Sequence, residues 1–375
     1  MQAFRVAQWN IWVQLSHILL NCQKNGDDLL ASPSEHATFN GMTTKPPISF
    51  EPFQPDDAEQ VTRLFIEVYG DAYPIRRVYD PQQLIEAANS DSYLPFVARS
   101  ETGQVISYAA LCRSAPYKGI YELVQGIVSS DFRGGGVGRA MFEHVERLLT
   151  TLPDAETYFG ESVCNHLHTQ KACAHIKSID TALELDLMPG EIYARDTPDT
   201  GRIAVLDSFR SFVSKPHQVY VPQRYEEIIR YLYDGFDDQR ALSVSTVKIP
   251  AGQRTTLSVK WHREIGLVRL AVTEAGEDFT QQLDAVLEEC AGQEVQVIQL
   301  WLKSSLPWTG DAVEQVRERG FFFGGIFPRW FDDDGIMLQK IAGRPHWEGI
   351  HLHSDRALKI RDVVYADWLR IYQCQ

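Results

Sequence analysis

A glycine-rich stretch with two arginines has the residue types and spacing that bind phosphate. Its members, in order, are Arg133, Gly134, Gly135, Gly136, Val137, Gly138 and Arg139. Glycines let the backbone turn several N–H groups toward one point, and the start of a following helix adds the positive end of its dipole. The stretch therefore predicts a phosphate-binding loop, and a tight strand-to-helix turn without a ligand is the alternative.

The elements that must position this loop lie on either side of it. Residues 123–128 form a short apolar run that is typical of a strand, and apolar residues recur at helical spacing from Val137 to Leu149. Two other phosphate loops are excluded. The ATP-binding loop ends in Gly-Lys-Ser/Thr, whereas Arg139 follows Gly138 here, and the dinucleotide fingerprint differs in glycine spacing and in its acidic partner.

The pattern that does match is Arg-Gly-x-Gly-x-Gly after a strand of the form Glu-Leu-x-x-x-x-Val-x-x-x-x-Arg. The positions of the strand pattern are filled by Glu122, Leu123, Val128 and Arg133. This arrangement resembles the acetyl-CoA loop of the GNAT N-acyltransferases, and the resemblance extends from Ile48 to about Pro189. It implies an α/β (α+β) fold with a mixed central sheet flanked by helices. It also implies acetyl-CoA or another acyl-CoA as co-substrate, without a metal.

The same resemblance assigns a base to the reaction. An amine is mostly protonated at neutral pH and must lose a proton before it attacks a thioester, so the enzyme needs a proton acceptor within reach. Glu122 lies where many GNAT enzymes carry this base, and a purely structural carboxylate is the alternative. The backbone of Ile127 and Val128 is expected to pair with the pantetheine arm as an added strand would.

Two further segments match the family in part. Asn165 occupies the place of an asparagine that touches the cofactor in family members. The tyrosine that often protonates the leaving thiolate is missing, and Cys173 and His175 occupy that region. The general acid therefore stays unassigned, and the histidines there lack partners at metal-ligand spacing.

The acceptor side is predicted from the segment between the first two helices. It contains Tyr69, Asp71 and Tyr73, which border the acceptor site in the family. These residues are candidate substrate contacts, and aromatic packing in a turn is the alternative.

Composition limits the partners. The formal net charge of −14 over 375 residues argues against a nucleic-acid surface and favours a small cationic amine. The six cysteines contain no CxxC pair, which indicates reduced thiols and a cytoplasmic location. The apolar run near the N-terminus is too polar and short to span a bilayer, so no membrane partner is expected.

The second half repeats the first weakly. A strand at 266–273, a helix at 279–290 and a strand at 295–302 follow the order of elements around the loop. The turn that would bind phosphate instead carries Glu274, Glu277 and Asp278, which would repel it. We therefore expect one CoA per chain. The expected division is a poorly ordered extension (1–45), a catalytic GNAT unit (46–195), a degenerate GNAT-like unit (196–342) and a helical tail (343–375).

Two functions are compatible with these observations. The first is an acyl-CoA-dependent N-acyltransferase that acts on a small cationic amine by direct transfer. The second is a non-catalytic regulatory protein that senses acyl-CoA. The apolar side of the C-terminal helix is expected to pack on the second unit, and a homodimer or a protein partner is the alternative.

Overall fold

The computed structural model describes residues 48–193 and 201–373. The predicted N-terminal extension (1–45) and residues 194–200, at the expected boundary between the two units, lie outside the described residues. In the first half the elements are β1 (Phe50–Pro52), α1 (Ala58–Tyr69), α2 (Pro81–Ala88), β2 (Tyr93–Arg99), β3 (Val105–Cys112), β4 (Ile120–Val128), α3 (Val137–Thr151), β5 (Thr157–Val163), α4 (His168–His175) and β6 (Ile179–Met188).

From Ile203 onward, the chain adds eight strands and four helices among the described residues. They are β7 (Ile203–Ser211), β8 (Gln218–Val221), α5 (Glu226–Tyr233), β9 (Ala241–Val244), β10 (Thr256–His262), β11 (Leu267–Glu274), α6 (Phe279–Ala291), β12 (Val297–Lys303), α7 (Thr309–Arg317), β13 (Phe322–Phe331), β14 (Asp333–Ile341) and α8 (Asp355–Gln373). Within the described residues, no helix combines the length and apolar character needed to cross a membrane.

Local sequence explains the helices that flank the first half of the sheet. In α1, Val61, Leu64 and Phe65 recur at helical spacing, and all three are buried against the sheet. The next helix, α2, begins with a proline in its first turn, and Asp80 caps it by accepting hydrogen bonds from the amides of residues 82 and 83. Strands β3 and β4 are buried along their whole length, because helices or the second half cover both faces.

Twelve strands form one mixed, mostly antiparallel sheet in the order β1-β2-β3-β4-β5-β7-β6-β13-β14-β12-β11-β10. Among the residues that the structure describes, the parallel pairs of this sheet are β4 with β5 and β11 with β12, and each is connected through a helix. The order β4-β5-β7-β6 in the first half corresponds to β11-β12-β14-β13 in the second. The sheet therefore confirms the predicted α/β class, and its two ends run outward from a central pair.

That central pair, β6 with β13, is named here the seam. It is joined at one residue pair, Ala182 with Gly325. Helix α8 packs across both strands of the seam and buries its own side chains Ala357, Ile360 and Val364. The apolar side of the C-terminal helix is thus largely occupied within the chain.

One strand lies where the expected division does not place it. Strand β7 follows the expected boundary at residue 195, yet it pairs with β5 on one side and with β6 on the other. The sheet of the first half is therefore continuous through Ser211.

Candidate active site

The glycine-rich stretch forms an exposed turn that leads directly into α3. Gly134 and Gly136 have φ of 76° and 84°, a left-handed conformation that glycine adopts at little cost. Gly136 is the residue before α3, no side chain caps the helix there, and its first turn holds no acidic residue. A Cβ at Gly136 would have no heavy atom within 4 Å. The start of this helix is therefore open to an anion.

The two arginines of this loop have different surroundings. The Nε of Arg133 donates to the backbone oxygen of Val128 at 3.3 Å, which ties the loop to the end of β4. Arg139 pairs with Glu143 at 2.8 Å, and its side chain is 71% exposed. Val137 and Gly138 are buried in the first turn of α3 and anchor it on the sheet.

Strands β4 and β5 pair briefly and then separate. Their parallel pairing is confined to the first three residues of β4, up to Glu122 opposite Phe159. Beyond this point β4 continues to Val128, paired with β3, and carries a bulge at Gln125, whose φ is 58°. Ile127 and Val128 therefore lie on the separated part of β4, beside the gap that opens toward β5.

Glu122 lies at the point of separation and is 1% exposed. Burial raises the pKa of Glu122 to about 8, while Ser114, Arg269 and Cys112 act in the opposite direction. The thiol of Cys112 lies 3.8 Å from a carboxylate oxygen of Glu122. A carboxylate with such a pKa can accept a proton near neutral pH and hold it in the product state.

A layer of buried polar side chains continues from this point across the sheet. The polar layer is defined by Glu161, Glu184, Asp207, Arg269 and Gln299. On β5, β7 and β12, the polar residue lies between two apolar residues that point to the same face of the sheet. An aromatic cluster that contains Phe159 lies on one side of the layer, and an aliphatic cluster that contains Val163 lies on the other.

Arg269 of the second half lies among the carboxylates of the first. Its Nη2 is 3.1 Å from Glu184 and 3.5 Å from Glu161, and its Nε donates to Gln299 at 2.7 Å. Ligand oxygens of Glu161, Glu184 and Asp207 all lie within 4.8 Å of one another. Burial raises the pKa of each of these three carboxyl groups, and neither oxygen of Asp207 has a hydrogen-bond partner among the described residues.

A second basic side chain from the second half lies near Glu122. Burial, followed by repulsion from Arg269, lowers the pKa of Lys260 to about 8, and Glu122 opposes the shift. Next to it on β10, burial and the same arginine lower the pKa of His262 to about 3. The second half thus contributes basic side chains to the surroundings of Glu122.

The predicted acceptor residues are partly in the core. Tyr69 and Tyr73 are 4% and 1% exposed, and their ring centroids are 4.8 Å apart. Both rings pack against Phe65, at 6.0 and 5.1 Å. Asp71 lies on the exposed turn between α1 and α2, where its backbone oxygen accepts from Arg76. The two tyrosines are therefore placed as packing residues, and Asp71 faces solvent.

Asn165 lies in the turn after β5, with its Oδ1 buried and lacking a hydrogen-bond partner among the described residues. That oxygen can accept from an amide of a ligand. Of the two residues in the region of the missing tyrosine, Cys173 is buried 3.5 Å from the hydroxyl of Ser162. His175 lies at the end of α4, 3.8 Å from Glu143.

The corresponding turn of the second half is filled by its own chain. Asp278 accepts from the amide of Thr255 at 2.8 Å, and Glu277 accepts from the amide of Gly252. The amide of Gly276 donates to the Thr255 hydroxyl at 3.0 Å. Strands β11 and β12 also remain paired over six residues, from Leu267 to Val272, so no gap opens between them.

Sequence reasoning missed the polar layer, although a signal for it exists. Two of its charged members are single charges within mostly apolar strand segments, namely Arg269 in Leu-Val-Arg-Leu-Ala-Val and Asp207 in Ala-Val-Leu-Asp-Ser-Phe. A charge in a buried strand requires a partner. The sequence alone does not say which strands meet, and so it does not name the partner.

Comparison with known proteins identifies one matching family. Residues 58–169 match the model of the Acetyltransferase (GNAT) family. No curated protein matches the sequence. Among solved structures, the chain is similar to a phosphinothricin acetyltransferase of the GNAT superfamily from Sinorhizobium meliloti in complex with AcCoA, at 16% identity over 44% of this chain and 88% of that chain, with a TM-score of 0.36.

Two other similar structures are N-acetyltransferases. One is from Staphylococcus aureus Mu50, at 9% identity over 44% of this chain and 99% of that chain, with a TM-score of 0.37. The other is a spermidine/spermine N-acetyltransferase from Vibrio cholerae in mutant forms, at 10% identity over 44% of this chain and 95% of that chain, with a TM-score of 0.36. Residues 58–169, which include the glycine loop at the start of α3 and the point after Glu122 where the sheet divides, are thus the part of the chain that matches the GNAT acetyltransferase family.

Proposed function

We propose that the protein is an N-acyltransferase that transfers an acyl group, by preference acetyl, from CoA to a small amine. The observation that carries the proposal is the position of Glu122 at the point where β4 and β5 separate. The glycine loop follows the other end of β4. A thioester that enters the gap between the strands would lie beside a buried carboxylate that can accept a proton.

The residues present fit an acyl-CoA. The pyrophosphate would bind the amides of residues 134–139 at the start of α3, where the backbone leaves open space. The pantetheine arm would pair with the backbone of Ile127 and Val128 on the separated part of β4. The unpartnered oxygen of Asn165 lies in the turn after β5 and would accept from the same arm.

The chemistry is a direct transfer. Glu122 takes a proton from the amine nitrogen, directly or through a water, and the nitrogen forms a bond to the thioester carbonyl carbon. The carbon–sulfur bond then breaks, and the electron pair leaves with the CoA sulfur as a thiolate, which takes up a proton from solvent because a thiol is mostly protonated near neutral pH. The backbone around the bulge at Gln125 would position the carbonyl during this step.

The acceptor side would be composite. The first half would contribute the turn with Asp71 and the helix α2, and the second half would contribute the strand that carries Lys260, which acts electrostatically on Glu122. The net charge of −14 would attract a cationic amine toward the protein over a long range. Tyr69 and Tyr73 would fix the position of this turn through their packing against Phe65.

We further propose that the second half, from about residue 196 to 342, is a GNAT-like unit that has lost acyl-CoA binding. Its strand order corresponds to that of the first half. Its phosphate turn is occupied by Glu277 and Asp278, and its parallel strands do not separate. Its remaining role would be to cover the acceptor side of the first half.

The experiment is calorimetric titration with acetyl-CoA and CoA, followed by a thiol-release assay over a panel of amines. We expect binding of about one acetyl-CoA per chain and thiol release with at least one small amine. Binding without release on any amine would contradict catalysis and would favour an acyl-CoA sensor. Absence of binding would contradict both functions.

A further inference from the structure

Arg269 is one of the most enclosed charges of the second half, and all its polar contacts lie inside the protein. Its side chain is 5% exposed and reaches Glu161 on β5, Glu184 on β6 and Gln299 on β12. The guanidinium also lies over the ring of Trp301, 5.3 Å from the centroid. It is therefore held by contacts from both halves of the sheet and has little freedom to move.

The strand registers place Arg269 at the position that Glu122 has in the first half. Ile120 starts the parallel pairing of β4 opposite Thr157, and Leu267 starts that of β11 opposite Val297. Glu122 and Arg269 each lie two residues further along. At the position of the candidate base, the second half thus carries the opposite charge, and the sheet brings that charge toward the first half.

The titratable groups that act on Glu122 come from six different strands. They are Cys112 on β3, Glu161 on β5, Glu184 on β6, Asp207 on β7, Lys260 on β10 and Arg269 on β11. The phenol of Tyr158, on the other face of β5, also senses Glu122. Three carboxyl groups therefore oppose ionisation of Glu122, and two basic groups favour it.

We propose that Arg269 is a positioning residue of the active site, which keeps the Glu122 carboxylate able to accept a proton by balancing the buried carboxylates around it. This inference rests on the proposed N-acyltransferase function. Arg269 touches neither acyl-CoA nor amine in this scheme. It acts through Glu161 and Glu184, whose negative charge would otherwise hold Glu122 in its protonated, inactive form.

The scheme predicts opposite effects for two neighbouring substitutions. In Arg269→Met, the loss of positive charge moves the acid limb of the kcat/KM profile to higher pH by about one unit or more. In Glu184→Gln, the loss of a negative charge moves the same limb to lower pH. The double variant has a limb between those of the two single variants. Arg269→Lys keeps the charge and stays closer to wild type than Arg269→Met.

A structural role alone predicts a different pattern. Both single substitutions remove a member of a buried ion pair, so both would lower thermal stability and total activity without moving the limb in opposite directions. Arg317→Met is the matched control. Arg317 is a buried arginine of the second half that pairs with Asp367 at 2.6 Å, far along the chain from the site. Its loss is expected to lower stability and leave the limb in place.

The measurement is thiol release against pH for the wild type and these variants, with acetyl-CoA affinity measured in parallel. Opposite shifts for Arg269→Met and Glu184→Gln support the inference. Shifts in the same direction, or an unmoved limb, overturn it while leaving the proposed function intact. If Arg269→Met does not fold, the comparison of Glu184→Gln, Arg269→Lys and wild type decides, because Glu184→Gln must still move the limb downward. A wild type that binds acetyl-CoA and acylates no amine overturns both.

Discussion

Gly325 of β13 lies directly against Ala182 of β6, and this contact joins the two halves of the sheet. A Cβ at position 325 would lie 2.3 Å from both the Cα and the Cβ of Ala182, and its φ of 150° is one that other residues avoid. The seam therefore requires glycine on the β13 side. Any side chain there must push the two strands apart.

Gly325→Ala is accordingly expected to destabilise the protein by at least about 2 kcal/mol, since it combines overpacking with backbone strain. Gly343→Ala is the control, because Gly343 also has a positive φ, 83°, but open space around its Cβ position. Gly343→Ala should lower the free energy of unfolding by about 1 kcal/mol, because only the positive φ disfavours alanine there. Thermal or urea unfolding measures both, and equal losses would show that the close approach at the seam does not matter.

Gly136→Asp is expected to abolish acetyl-CoA binding. The substitution puts a negative charge and a side chain into the space at the start of α3. Because the second half offers no comparable turn, binding should disappear completely and not fall to half. Gly103→Asp changes a glycine of nearly equal φ in an exposed hairpin turn and should leave the affinity unchanged. Residual binding to Gly136→Asp, measured by calorimetry, would point to a second site.

Glu122→Gln keeps the shape of the side chain and removes its basicity. Turnover should fall by about 10²-fold to 10⁴-fold, with acetyl-CoA affinity nearly unchanged. The wild-type rate should rise as the pH passes about 8, where Glu122 loses its proton, and the variant should lack that limb. The difference in turnover between the variant and the wild type should become smaller above the pKa of the amine, because the amine is then already neutral. Thiol-release kinetics across pH test this, and full activity of the variant would return Glu122 to a structural role.

The same residue predicts a pH dependence of stability. The pKa of Glu122 is raised on folding, from its ordinary value of 4.5 to about 8, because burial disfavours the charged form. The contribution of Glu122 to the free energy of unfolding is fully present below its ordinary pKa of 4.5. It is lost as the pH rises toward and through about 8. Glu122→Gln should therefore melt at a higher temperature than wild type at alkaline pH, with a smaller difference near pH 5. Glu59→Gln, at an exposed helix position, should follow the wild-type curve.

Several elements of the first half could be predicted because their signals are local. The helix α2 has a proline at its start and a capping aspartate before it, and both are start signals that the local sequence shows. The hairpin of β2 and β3 and the turn into α3 follow from alternation and from glycine placement. The start of α1 carries a weaker signal, because two adjacent aspartates, Asp56 and Asp57, precede it. In the fold Asp57 directly precedes the helix, and its side chain accepts from the amide of Gln54.

What could not be predicted depends on distant parts of the chain. The position of β7 between β5 and β6 follows from pairing across some fifty residues and not from any local pattern. The meeting of Arg269 with Glu161 and Glu184 depends on how the whole sheet bends. The acidic residues of the second-half turn were visible in the sequence, but their partners were not. Asp278 accepts within its own turn, whereas Lys260 and Arg269 act electrostatically on Glu122.

The location of β7 has a consequence for dividing the gene. A break at residue 195 would leave the first fragment with a gap between β5 and β6, and β7 would have to be supplied by the other fragment. A break between Ser211 and Gln218 would keep the order β1 to β6 complete and would leave β13 and α8 together on the second fragment. Two such polypeptides, expressed separately, could reassemble as a heterodimer across the seam. The tandem chain can thus be regarded as a dimer whose subunits are covalently tethered.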